Sequence, residues 1–264
     1  MSAFEQIVLS KKEGIATIRL NQPESLNSFT KKMLSEITEA LEDAKSDAKV
    51  RVIVITGTGR AFCTGQNLKE RGETQNKASV DLGKSLKEKY VPIVSAIRES
   101  KKPVIGAING IAAGAGANVA LSCDLVIAKQ SASFLQAFTR IGLMPDAGGT
   151  FFMTRNSGRQ RAMGMALLAE PVPAQTAEAW GLIWKSVPDE NFDQEIRDIS
   201  EKLASGPTLA YAKTKEAILR AETTEFDKAI NFECDLQSIL GKSDDYSEGV
   251  AAFKEKRKAN FKGR

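Results

Sequence analysis

Apolar positions change period along the chain, and each change marks an element. Ala16, Ile18 and Leu20 alternate with Thr17 and Arg19, the period of a strand with one buried face. Leu34, Ile37, Leu41 and Ala44 then fall three or four apart, on one side of a helix. Val52-Ile53-Val54-Ile55-Thr56 is a β-branched run that stops at Gly57 and predicts a buried strand. Leu82, Leu86, Tyr90, Ile93 and Ile97 predict a long amphipathic helix. Residues 103–108 predict another buried strand ending at Asn109-Gly110, residues 114–122 a helix of small residues, and residues 125–128 a further strand.

Strands alternating with helices predict an α/β core. Beyond about Phe192 the spacing is helical only, and Ala229, Phe232, Leu236 and Ile239 share one face of one such helix. The pattern divides the chain into a core over residues 1–195 and a helical C-terminal part over residues 196–264.

Composition narrows the chemistry. The chain has 264 residues, 42% hydrophobic and 27% charged, enough to bury a core. Its net charge of +4 is mild and compatible with an anionic ligand. Cys63, Cys123 and Cys234 lie far apart, which fits a reducing compartment and no disulfide framework. The start, Met1-Ser2-Ala3-Phe4-Glu5-Gln6, carries neither a basic nor a long apolar region, and no apolar run approaches the ~18 residues of a membrane span. A cytoplasmic protein without a membrane partner is expected. The chain has no histidine, which excludes Ser-His and Cys-His dyads and His-ligated metal sites; no metal site is expected. A proton carrier must be Asp, Glu, Lys, Tyr or Cys.

Several stretches bear on function. Gly57-Thr58-Gly59-Arg60-Ala61-Phe62 imitates a dinucleotide loop but lacks its third glycine. Phe62-Cys63-Thr64-Gly65-Gln66-Asn67 and the segment from Gly110 to Gly116 both follow buried strands. Their small residues serve either close helix–strand packing or the presentation of backbone N–H groups to a developing oxyanion. Gly142-Leu143-Met144-Pro145-Asp146-Ala147-Gly148-Gly149-Thr150 sets one carboxylate between a proline and a Gly-Gly pair. That turn reads either as a helix cap or as a rigid mount for a catalytic acid. Asp124 reads as a structural cap, and Cys63 has no partner that would make it a nucleophile. The basic cluster of Lys254, Lys256, Arg257, Lys258, Lys262 and Arg264 reads as a solvated tail or as a phosphate contact.

Asn109-Gly110, Gly114-Ala115-Gly116, Cys123-Asp124, Ala61-Phe62-Cys63-Thr64-Gly65 and the stretch from Glu248 to Arg257 together resemble the crotonase (enoyl-CoA hydratase/isomerase) superfamily over nearly the whole chain. The resemblance implies a crotonase-like spiral of ββα units with a helical C-terminal trimerisation region, as a homotrimer or a dimer of trimers. It implies acyl-CoA thioester substrates, with coenzyme A as part of the substrate and no separate cofactor. By motif position, the N–H groups of Gln66 and Ala115 would polarise the thioester carbonyl. Contacts to CoA or acyl group would come from Leu26, Ala61, Cys63, Gly65, Asn67, Leu68, Lys69, Gly114, Asn118 and Phe138. Phe253 and Lys256, reaching over from a neighbouring subunit, would complete them. Hydratases of the family carry two glutamates where this chain has Asn118 and Phe138, neither of which moves a proton. Asn67 also replaces a common aspartate. The Asp146 turn is similar to that of family isomerases acting on the ring 1,2-epoxide of phenylacetyl-CoA, where the aspartate is catalytic. The resemblance thus implies an isomerase with Asp146 as its proton carrier. The alternatives are a fatty-acyl 3,2-enoyl-CoA isomerase, a hydratase, or a crotonase-like RNA-binding protein, although the mixing of Lys with Glu and Asp argues against nucleic acid.

Overall fold

The computed structural model describes residues 4–72 and 81–264. It opens with an antiparallel hairpin of β1 (Ile7–Lys12) and β2 (Ile15–Leu20). Next comes α1 (Lys31–Ser46), whose first turn is capped by the Thr30 hydroxyl accepting the Met33 N–H at 3.0 Å. Leu34, Ile37, Leu41 and Ala44, the periodic positions of the sequence, are all buried on it.

From there the chain repeats one unit: a strand in a large sheet, a short strand in a second sheet, then helix. β3 (Val52–Gly57) leads to β4 (Ala61–Cys63), then α2 (Leu68–Gly72), α3 (Leu82–Ser85) and α4 (Val91–Arg98). β5 (Val104–Ile108) leads to β6 (Ile111–Ala113) and α5 (Ala115–Leu121). β7 (Leu125–Lys129) leads to β8 (Ser133–Leu135), then α6 (Gly149–Ser157) and α7 (Arg159–Leu168). The core ends with β9 (Val172–Pro173), α8 (Ala174–Ala179) and β10 (Lys185–Val187). The large sheet has the order β1-β2-β3-β5-β7-β10 and the second β4-β6-β8-β9. Pairing is parallel except between β1 and β2 and between β8 and β9. This is the expected α/β spiral of ββα units.

Helices α9 (Phe192–Ala204), α10 (Thr208–Ala221), α11 (Phe226–Leu240) and α12 (Asp244–Glu255) complete the chain. Both faces of the large sheet are packed. One carries the main core, with Phe29, Phe62 and Phe134 wholly buried, each contributing roughly 1.5–3 kcal/mol. On the other, Val52, Val54, Ile105 and Ile127 meet Phe192 and Ile196 of α9. Arg51 at the edge of β3 fastens the C-terminal part. It donates to Thr208 Oγ1 at 2.8 Å, to the Phe261 carbonyl at 3.0 Å and to the Gly206 carbonyl. Asp124 is structural, as expected: its carboxylate accepts the Val104 N–H at 2.7 Å and Lys215 Nζ of α10 at 2.8 Å.

Three features differ from the sequence expectation. The helix predicted through Leu82 and Ile97 contains a wider turn over Leu86–Tyr90, where the Val91 N–H reaches back five residues to the Leu86 carbonyl. The extra residue resets the phase, so Tyr90, Ile93 and Ile97 are buried while Leu82 and Leu86 are half-buried. The loop of Gly57 and Gly59 runs into β4 rather than a helix, which removes any dinucleotide-binding geometry. The helix face of Ala229, Phe232, Leu236 and Ile239 buries only Leu236 completely in a single chain, and Ile239 is 48% exposed.

Candidate active site

Two strand-to-helix crossings of the second sheet meet at one point. At the first, Phe29 and Gln66 form an isolated parallel bridge, in which the Phe29 N–H donates to the Gly65 carbonyl at 2.7 Å and the Asn67 N–H to the Phe29 carbonyl at 2.9 Å. Both neighbours of Gln66 are thereby tied to one side, and the Gln66 N–H faces the other. Its side chain is fixed too: Nε2 donates to the Phe29 carbonyl at 3.1 Å, and Oε1 accepts the Tyr90 hydroxyl. At the second crossing β6 runs into α5 through Gly114, at φ 53° and ψ −130°, a conformation that costs a side chain dearly. Ala115 is the first residue of α5, and its N–H, like the others of an opening turn, has no carbonyl of its own helix to reach. A Cβ at Gly65 (φ 86°) would stand 2.9 Å from the Ala113 carbonyl oxygen and 3.4 Å from the Ala115 nitrogen. The segment carrying the Gln66 N–H therefore lies against the start of α5, where the Ala115 N–H is. Two such N–H groups can hold charge that develops on a carbonyl oxygen.

The third component is the Asp146 turn. Ala147 (φ 47°) and Gly148 (φ 84°) both lie in the left-handed region, and α6 then starts at Gly149. Left-handed Ala147 costs about 1–2 kcal/mol, strain that the surroundings must hold in place. The capping position is Gly148, which has no side chain, and Asp146 lies two residues before it. The turn is held through the Asp146 carbonyl, which accepts the Gly149 N–H at 2.8 Å and Asn118 Nδ2 at 2.8 Å. Oδ1 of Asp146 is shielded from solvent. Asn118 stands on α5 one turn beyond Ala115, so the acid and the donor pair are fixed to the same short helix.

The structure sorts the residues singled out in the sequence. Gln66, Ala115, Gly65 and Gly114 lie together where the two crossings adjoin. Phe138 is 8% exposed and packs its ring 3.9 Å from where a Cβ of Gly114 would be, an apolar wall beside the donors. Leu26 is half-buried at φ 53° and takes the Thr64 N–H on its carbonyl at 3.2 Å, against the first crossing. Asn67 caps α2: its Oδ1 accepts the Lys69 N–H at 3.1 Å and the Glu70 N–H at 3.4 Å, a role for which Asn serves as well as Asp. Leu68 and Lys69 are exposed on α2. Phe253 (86% exposed) and Lys256 stand in solvent at the end of α12, outside the group of residues around Asp146.

Three expectations are corrected. Ala61 (1% exposed), Cys63 (0%) and Asn118 (0%) present no surface to a ligand. The Ala61 carbonyl is taken by Asn27 Nδ2 at 2.9 Å and Asn109 Nδ2 at 3.2 Å. Cys63 packs on Gly116, and burial pushes its thiol pKa up to about 12, which makes it inert as a nucleophile. Asn118 spends its amide on the Asp146 turn and on Gln136, whose Nε2 donates to Asn118 Oδ1 at 2.8 Å. Gln136 and Tyr90 carry no signal of a site role in the sequence. Tyr90 reads as one more apolar helix position, and Gln136 sits unmarked between Leu135 and Ala137. Asn27 is fully buried at φ 54° and makes three side-chain hydrogen bonds.

Comparison with known proteins identifies the family. Residues 10–264 match the family model for enoyl-CoA hydratase/isomerase. The chain is 43% identical over 261 residues to the 1,2-epoxyphenylacetyl-CoA isomerase of Escherichia coli, covering 99% of this chain and 100% of that protein. It is 48% identical over 252 residues to the probable enoyl-CoA hydratase of Rhodobacter capsulatus, covering 96% of each. Among solved structures, it superposes on the enoyl-CoA hydratase of Bacillus anthracis with a TM-score of 0.90 and 31% identity, over 98% of this chain and 100% of that one. Fold and sequence similarity converge: the chain belongs to the enoyl-CoA hydratase/isomerase (crotonase) family.

Proposed function

We propose that the protein isomerises CoA thioesters by moving a proton through Asp146. One observation carries the reading. The site has a carboxylate on a fixed turn, while the two positions at which hydratases of the family hold their glutamates are a buried, committed amide (Asn118) and an apolar ring (Phe138). A single acid suits removal and return of one proton better than activation of water.

The thioester carbonyl oxygen accepts from Gln66 N–H and Ala115 N–H. The Asp146 carboxylate takes a proton from C2, the electron pair of that C–H bond forms an enolate, and its charge rests on the oxygen between the two donors. Each donor is worth about 3 kcal/mol in such a site. Asp146 then returns the proton further along the conjugated system, so a 3-enoyl thioester becomes a 2-enoyl thioester. Bonds and electrons balance without any redox cofactor. The preferred substrate is the ring 1,2-epoxide of phenylacetyl-CoA, which interconverts with an oxepin by valence tautomerism. The proton transfer traps the oxepin-CoA. The identity to the E. coli isomerase supports this choice of acyl group. Exposed apolar residues of the C-terminal helices, Ile218 at 61% and Phe226 at 78%, support a homotrimer or dimer of trimers, with Phe253 and Lys256 reaching a neighbour's CoA.

The test is Asp146→Asn. It keeps the fold and CoA binding and lowers turnover of ring 1,2-epoxyphenylacetyl-CoA and of trans-3-hexenoyl-CoA by about 10²–10⁴-fold. Turnover near the wild-type rate would refute the single-carboxylate mechanism. The 48% identity to the R. capsulatus protein favours a second reading, hydration, and rapid water addition to crotonyl-CoA is its signature.

A further inference from the structure

Asn118 and Gln136 are polar, completely buried, and unused by the chemistry above, yet Asn118 ends at the Asp146 turn and Gln136 ends at Asn118. Gln136 Nε2 donates to Asn118 Oδ1 at 2.8 Å, and Asn118 Nδ2 donates to the Asp146 carbonyl at 2.8 Å. The backbone of Asn118 is tied as well, its N–H donating to the Gly114 carbonyl at 3.2 Å. One continuous path of hydrogen bonds therefore runs from the glycine that aims the Ala115 donor to the residue that carries the acid. The fit is close: a Cβ at Gly149 would fall 2.4 Å from Asn118 Nδ2, so the amide fills the space against the start of α6. A buried amide held on both sides has one rotamer available to it.

We infer that Asn118, seated by Gln136, is a positioning residue that sets the separation between the oxyanion donors and the Asp146 carboxylate, with α5 as the ruler. The inference rests on the proposed role of Asp146. Three residues of helix advance about 4.5 Å from Ala115 to Asn118, and the amide carries the span on to the Asp146 main chain. The Asp146 carbonyl accepts two hydrogen bonds, so the turn is anchored through its main chain. The same contacts account for Asn118 in place of a glutamate. The first turn of α6 lies against its amide, in the space a longer acid would need.

The experiment compares kcat and KM on trans-3-hexenoyl-CoA for wild type, Asn118→Ala, Gln136→Leu and Asp146→Asn, with thermal melts of each. Asn118→Ala is expected to lower kcat 10–100-fold, the scale of an ~1 Å misplacement, with KM within threefold. Gln136→Leu, one step further from the acid, is expected to lower kcat several-fold with KM unchanged. An Asn118→Ala kcat within twofold of wild type overturns the inference, as does a loss shared equally by KM. Should Asn118→Ala fail to fold, Gln136→Leu decides by the same criterion. Asp146→Asn separates the two levels: if it turns over like wild type, the proton-shuttle reading fails. If it is inactive while Asn118→Ala is not impaired, only the positioning role fails.

Discussion

Gly116→Ala tests whether the donor pair depends on how closely α5 approaches β4. A Cβ on Gly116 would stand 2.5 Å from the Cys63 carbonyl oxygen and 2.8 Å from both Cys63 Cβ and Sγ. The oxygen belongs to the main chain and cannot rotate away, so relief requires helix and strand to part by roughly 1 Å, an overpacking cost of about 1–3 kcal/mol. The gain in helix propensity from Gly to Ala returns up to about 1 kcal/mol. The net loss of about 0–3 kcal/mol corresponds to a Tm lower by at most about 12 °C for a chain of this size. Function should suffer more than stability. Ala115 precedes the substituted residue, and its N–H would move with the helix by a distance that costs about 100-fold in rate. The assay pairs differential scanning calorimetry with kcat on trans-3-hexenoyl-CoA. Gly164→Ala is the control: that glycine lies inside α7 and, among the described residues, nothing beyond its own helix backbone comes within 4 Å of the added Cβ, so it should gain about 0.5–1 kcal/mol and keep full activity. A Gly116→Ala enzyme that melts and turns over like wild type would show that the close approach is incidental.

Two further outcomes follow from ionisation. Arg257 beside Glu248 holds that carboxyl well below its ordinary 4.5, at about 2. A depressed carboxyl contributes stability above its unfolded pKa and loses it as pH falls through the folded one. Glu248→Gln should therefore denature more easily than wild type at pH 7, with the difference shrinking between pH 4.5 and pH 2; a difference that persists unchanged at pH 2 would refute the pairing. The cysteines differ in the same way. Burial pushes the Cys63 thiol up to about 12 and raises Cys123 as well, whereas Cys234 is exposed. Iodoacetamide at pH 8 should alkylate Cys234 alone in the native protein, as read by peptide mass spectrometry, and all three after denaturation.

The longer elements were legible in the sequence: β2, α1, β3, β5, α5 and β7 lie where apolar pattern and composition put them. The second sheet was not. β4, β6 and β8 have three residues each, too few to display a period, and they exist because parallel neighbours align them. The same limit governs the site. The glycines at 65 and 114 and the Pro-Asp-Ala-Gly-Gly turn announce themselves, since unusual backbone needs particular residues. Asn118 was read as facing substrate because position alone says nothing about which way a side chain on a wholly buried helix is used. Its partners stand 18 and 28 residues further on. Gln136 gave no signal at all, as a buried amide looks in sequence like any other polar residue.

Both oxyanion donors of the proposed mechanism are main-chain N–H groups, and this divides the site into parts of different evolvability. No substitution to another residue with an N–H can delete the donors at 66 or 115; only a shift of backbone can. The acid, by contrast, is a single replaceable side chain on a separate turn. A lineage can therefore relocate its carboxylate around a constant pair of donors and arrive at a different reaction on the same class of intermediate, while random drift at Gln66 or Ala115 leaves the electrostatic part of catalysis intact.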